Sequence, residues 1–189
     1  MPRRYRPGVA LWLVVPLLAG NCDDDDPAVS HSGDIVINFG VAQNDIDANQ
    51  NLAEGKNIVT ESGNPCVMFI SDATITLGTS PSFIRVNSVS LTMTNPQNVA
   101  TLDDLWDDAV TVSFVIDAMT SFTVGAGSVV GAQQQLFLPV VVDPADIQAN
   151  IAALNACGYE VRVSGLVDAA IPASFSAAVA VTVNLSALP

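Results

Sequence analysis

The densest run of groups able to bind or catalyse is Asp103-Asp104-Leu105-Trp106-Asp107-Asp108. On a helix, Asp103/Asp107 and Asp104/Asp108 would stand one turn apart, close enough to share a divalent cation. Calcium suits the pattern best, because it takes several oxygen ligands and favours carboxylates. The competing reading is a solvated acidic connection between strands, with Leu102, Leu105 or Trp106 dipping into the core. A second oxygen-rich stretch is Asp45-Ile46-Asp47-Ala48-Asn49-Gln50-Asn51. A helix–loop–helix calcium site would need glycine at Gln50 and glutamate at Lys56, so this stretch reads as an Asn/Asp-rich surface loop.

Covalent catalysis finds little support. The chain has one histidine, His31, in the expected linker before the first strand. A Ser-His-Asp or Cys-His pair would need that linker to fold back over the domain. Paired-carboxylate sugar hydrolysis needs a cleft, and such clefts present exposed aromatics. Beyond the first 21 residues the only Trp and Tyr are Trp106 and Tyr159, and Tyr159 fits a core position. No catalytic residue is assigned, and the reading is non-enzymatic.

Cysteine count and charge bound the partners. Cys22, Cys66 and Cys157 match no zinc spacing with the single histidine. Either Cys66 and Cys157 form a disulfide, which persists in an oxidising compartment, or they are separate buried thiols. From residue 22 onward, Lys56, Arg85 and Arg162 stand against all 19 acidic residues, a net charge of −16. Nucleic acid is excluded as a partner, since binding it relies on Lys and Arg to neutralise phosphates. An anionic membrane surface would repel the domain too, so attachment to a membrane has to come from lipid.

The start of the chain supplies such an attachment. Arg3, Arg4 and Arg6 precede the apolar run Val9–Leu18, and Ala19-Gly20-Asn21 precede Cys22. The run is too short to span a bilayer, which takes about 20 apolar residues. A basic start, short apolar run and small residues are the layout of an export signal over residues 1–21. Leu18-Ala19-Gly20-Asn21-Cys22 resembles the cleavage box of bacterial lipoprotein precursors, with Asn21 where that family has a small residue. The resemblance implies cleavage before Cys22, acylation of Cys22 and anchoring in the cell envelope; the alternative is ordinary secretion with Cys22 unmodified. Asp23–Asp26, within an acidic linker over 22–32, would hold the domain off its anchor.

The remaining residues, 33–189, have the length of one domain. Polar and apolar residues alternate along Ile35–Phe39, Val110–Ile116, Leu136–Val142, Tyr159–Val163 and Phe175–Leu185. Such one-sided alternation marks antiparallel strands with one solvated face. In Phe83–Asn95 the apolar set shifts from even to odd positions, so a β-bulge near Asn87-Ser88 is expected. Pro139 makes its strand an edge or bulged one. One short helix is expected near residues 144–157, capped by Asp143, begun by Pro144 and ended by Gly158. The whole reads as an antiparallel β-sandwich of about eight strands. The function that follows is a lipid-anchored envelope protein with a structural or interaction role; the alternative is a calcium-dependent binding or adhesion module using Asp103, Asp104, Asp107 and Asp108.

Overall fold

Alternation of side chains decides the architecture. The computed structural model describes residues 29–189, so the expected export signal and Cys22 lie outside the described residues. In strand β1 (His31–Ala42), Ile35, Ile37, Phe39 and Val41 are buried and the residues between them are exposed. The chain continues through β2 (Asn51–Asn57), helix α1 (Pro65–Leu77), β3 (Phe83–Gln97), β4 (Trp106–Val115) and β5 (Ser121–Ser128). It ends with β6 (Gln135–Leu138), α2 (Pro144–Ala149), α3 (Ile151–Asn155), β7 (Glu160–Val167) and β8 (Ser176–Leu188). The eight strands form two four-stranded antiparallel sheets, ordered β1-β8-β3-β6 and β2-β7-β4-β5. Each sheet has one face too apolar for water, and the two faces stack as a β-sandwich.

Two local expectations are met. The register of β3 on β8 shifts between Val86 and Ser88, and this bulge turns Ile84, Val86, Val89, Leu91 and Met93 all into the core. β6 lies at a sheet edge and stops at Leu138, one residue before the N–H missing at Pro139. The run Leu136–Val142 is not one strand, however. Past Pro139 it crosses to the second sheet, where Ala126 N donates to Pro139 O and Val141 N donates to Val124 O (3.1 and 3.2 Å).

Helices differ most from expectation. The helix over 144–157 is broken at Asn150, whose φ and ψ of −112° and 14° are not helical, leaving α2 and α3. Its start is as anticipated: the Asp143 carboxylate accepts from Ala145 N at 2.8 Å. The longest helix among the described residues, α1, is one the sequence reading does not include. Cys66, Phe69 and Ala73 face inward, but Val67, Met68 and Ile75 are exposed, so apolar residues surround the helix and blur its stripe. Its boundary signals are nonetheless present, with Pro65 in the first turn and Gly78 in the left-handed conformation (φ 72°) after the last.

The disulfide joins the helical segments. Cys66 in α1 pairs with Cys157 just after α3, with Cα atoms 5.9 Å apart and a separation of 91 positions in sequence. On the chain-entropy model, closing a loop of that length contributes about 4–5 kcal/mol. The buried Tyr159 hydroxyl donates towards Cys66 Sγ at 3.7 Å, and burial pushes its pKa well above the ordinary tyrosine value.

Gly165 in β7 makes room for the largest core side chain. A Cβ there would fall 2.5 Å from Ala109 O and 2.7 Å from Trp106 Cδ1, while Trp106 itself is fully buried. Gly165→Ala is therefore expected to lose about 1–3 kcal/mol through overpacking. Urea unfolding followed by fluorescence checks this; a variant as stable as wild type would show that the indole shifts freely.

Candidate functional site

The aspartate tract is built from two different pieces. Leu102–Asp104 is a single 3-10 turn, and β4 begins two residues later at Trp106. Leu102, Leu105 and Trp106 are all fully buried and pin the tract to the core. Between Trp106, opposite Val167, and Val110, opposite Gly165, the register shifts, so Asp107 and Asp108 sit on a bulge and are exposed. The tract is thus not helical, and the one-turn spacing expected of Asp103/Asp107 and Asp104/Asp108 does not arise. The physical reason is the sheet: Trp106 opens β4 opposite Val167 of β7, so the chain becomes extended directly after the turn and no second helical turn can follow. Among the described residues, no three His, Cys, Asp or Glu side chains gather in a way that could hold a metal ion.

Asp104 serves its own loop. One of its carboxylate oxygens, Oδ2, accepts from Ala100 N (2.6 Å), Thr101 N (3.0 Å) and Thr101 Oγ1 (3.2 Å). Ala100 N–H above all holds this carboxyl below the ordinary aspartate value, against the upward push of burial. Asp103 differs: its Oδ1 is buried without a hydrogen-bond partner among the described residues.

Asp47, in the second oxygen-rich stretch, also closes a turn. Its Oδ1 accepts from Asn49 N at 2.7 Å and Asn51 N at 3.0 Å, which leads the chain into β2. The surface-loop reading holds there. His31 is not in a linker but opens β1, and its ring lies 5.3 Å from that of Phe69 in α1. The expected linker therefore ends two residues early, because His31 and Ser32 pair with Ala187 and Ser186 of β8.

Sequence reasoning missed Asp168. It lines an open cleft of about 420 Å³ together with Asp104, Asn98, Val99 and Pro172. Its Oδ1 accepts from Ala170 N at 2.6 Å, so this carboxylate too closes a turn. A small-residue run ahead of Pro172 was the available signal, since aspartate at such a position bonds the backbone two residues on.

The most buried charged group among the described residues lies elsewhere. Glu61 accepts from Lys56 Nζ (2.7 Å), Asn38 N (3.1 Å) and Asn38 Nδ2 (3.3 Å), and Lys56 Nζ also donates to Asn38 O (3.1 Å). β1 is an edge strand, so this clamp occupies backbone groups that another strand would otherwise pair with. Burial alone pushes the Glu61 carboxyl up; the hydrogen bonds from Lys56 and Asn38 outweigh it, leaving the pKa below the ordinary value of 4.5.

No protein-family model and no curated protein matches the chain. Among solved structures, the empty head of turnip yellow mosaic virus is similar at 14% identity, over 97% of this chain and 90% of that one, with a TM-score of 0.27. A likeness at that score carries no argument about fold or role.

The Glu61 clamp yields a signed pH prediction. Its folded pKa is depressed, so its contribution is complete above the unfolded value and is lost as pH falls through the folded one. Glu61→Gln is expected to cost about 1–3 kcal/mol near neutrality and progressively less below about pH 4. Unfolding curves for both proteins across that range check it; a difference independent of pH would show that the charge of Glu61 contributes nothing.

Proposed function

We propose that the chain is a lipid-anchored protein of the bacterial cell envelope, with a β-sandwich that plays a non-enzymatic structural or interaction role. The observation that carries this reading is the Cys66–Cys157 disulfide. It accounts for two of three cysteines and suits an oxidising compartment outside the cytoplasm. The third, Cys22, stands directly after Leu18-Ala19-Gly20-Asn21, the segment that resembles a lipoprotein cleavage box. Acylation would give that cysteine a use, and more than one acyl chain is what a stable anchor needs.

The non-enzymatic part rests on what the polar residues already do. Asp47, Asp104, Asp143 and Asp168 accept backbone N–H groups of their own turns. Glu61 clamps an edge strand, and the His31 ring lies against Phe69. These are scaffold duties spread over the molecule, not groups converging on one reacting atom.

The test is the intact mass of the protein extracted from membranes of its own host, with and without reduction. Residues 22–189 plus acyl chains are expected, with a gain of two hydrogens on reduction. An unacylated mass beginning elsewhere would overturn the anchor and make this a secreted protein.

A further inference from the structure

Helix α1 has an apolar side that none of the described residues covers. Cys66, Phe69 and Ala73 face the core, while Val67, Met68 and Ile75 are exposed. Val67, Ser71 and Ile75 follow one another at four-residue intervals, with Met68 beside them, so they share the outward face. Asp72 is the single charged residue of the helix. With 13 residues α1 is too short to cross a bilayer, which takes about 20. Such a face can lie on a membrane surface without spanning it.

The chain enters the domain beside this helix. His31 opens β1 with its ring 5.3 Å from that of Phe69, and a Cβ on Gly33 would fall 3.1 Å from Phe69 Cδ2. Met68 and Asp72 line an open cleft together with His31 and Asp34. Cys22 stands nine positions before His31, a stretch that spans about 30 Å at most. An acyl anchor at Cys22 therefore keeps α1 near the bilayer, and so short a tether raises the effective concentration enough for a weak contact to form. Charge selects the same side. Among the described residues acidic side chains outnumber basic ones 15 to three, so anionic headgroups repel most of the surface, whereas α1 offers them one carboxylate. A second copy of the chain is the poorer occupant, because a stable interface takes about 20–30 residues a side and this face offers three apolar side chains. We propose that α1 lies along the bilayer surface with Val67, Met68 and Ile75 dipped among the headgroups, a placement that rests on the acyl anchor at Cys22.

The test uses protein purified from membranes of its own host and reconstituted into phosphatidylcholine vesicles. With Cys66 and Cys157 in a disulfide and Cys22 acylated, Ile75→Cys supplies a single free thiol for an environment-sensitive fluorophore. Val130→Cys is the control, since Val130 is 76% exposed against 77% for Ile75. β5 begins level with Glu160, close after Cys157, and Val130 lies past its other end. The probe at 75 is expected to shift to the blue on reconstitution and to be quenched by spin-labelled lipid about twofold or more strongly than the probe at 130. Val67→Asp with Met68→Asp, both at exposed positions, is expected to abolish that difference while the protein still floats with the vesicles. Equal quenching at 75 and 130 in acylated, vesicle-bound protein would overturn the placement and leave the anchor standing, as would a difference that survives the two aspartates. A blue shift at 75 without lipid quenching would overturn it in favour of a second copy. An intact mass without acyl chains would overturn placement and anchor together.

Discussion

The pairing of β1 with β8 is the interaction on which the rest of the fold depends. It runs without interruption from His31 opposite Ala187 to Ala42 opposite Ser176. β8 pairs with β3 on its other side, so the last strand of the chain is an interior strand of its sheet. Ala177, Val179, Val181, Val183, Leu185 and Ala187 are all buried from this one strand. Side chains on the outer face reinforce the same junction: Ser32 bonds Ser186, and Asn184 donates to Asp34 and accepts from Asn87. A first strand that must wait for the last makes the topology strongly non-local, the kind that folds slowly. The disulfide offsets part of that entropy by shortening the unfolded chain's effective loop.

With β8 inside, the sheet's two edges fall to β1 and β6, and each edge is blunted by a different device. The Lys56–Glu61 clamp occupies the backbone of Asn38 in β1. β6 has only four residues, and the chain then leaves the sheet at Pro139 to bond with β5 in the other sheet. Both devices tie the two sheets together at opposite sides of the sandwich, since Lys56 belongs to β2 and Pro139 O is held by β5. An open edge would invite pairing with another chain, and these contacts remove much of the free backbone that such pairing needs.

Six of the 15 acidic side chains among the described residues close turns. Asp45, Asp47, Asp104, Asp117, Asp143 and Asp168 each accept at least one backbone N–H in a connection between elements. Backbone donors there have no ladder partner, and a carboxylate is a strong acceptor close at hand. A chain with many tight connections can therefore become very acidic without assembling an acidic site. Among the three basic side chains of the described residues, Arg85 is the exception in making no ion pair there.

Period-two alternation by itself determined the sandwich class, the strands β1, β3, β4, β7 and β8, and the bulge in β3. It works there because those strands bury one face and the pleat copies the difference between core and water into the sequence. β2 and β5 left no such trace: β2 buries only Leu52, and in β5 Gly125 replaces a side chain where Val89 comes too close. Helix α1 was hidden by apolar residues on its outward side, and the break at Asn150 by an otherwise continuous pattern. The pairing of Cys66 with Cys157 was one of two readings until the fold placed them together. Only tertiary structure decided where the charged groups would act. The Asp103–Asp108 tract is split between a turn and a bulge because Trp106 pairs with Val167 of β7 and packs its indole beside Gly165, a demand set across the sheet rather than by any local preference.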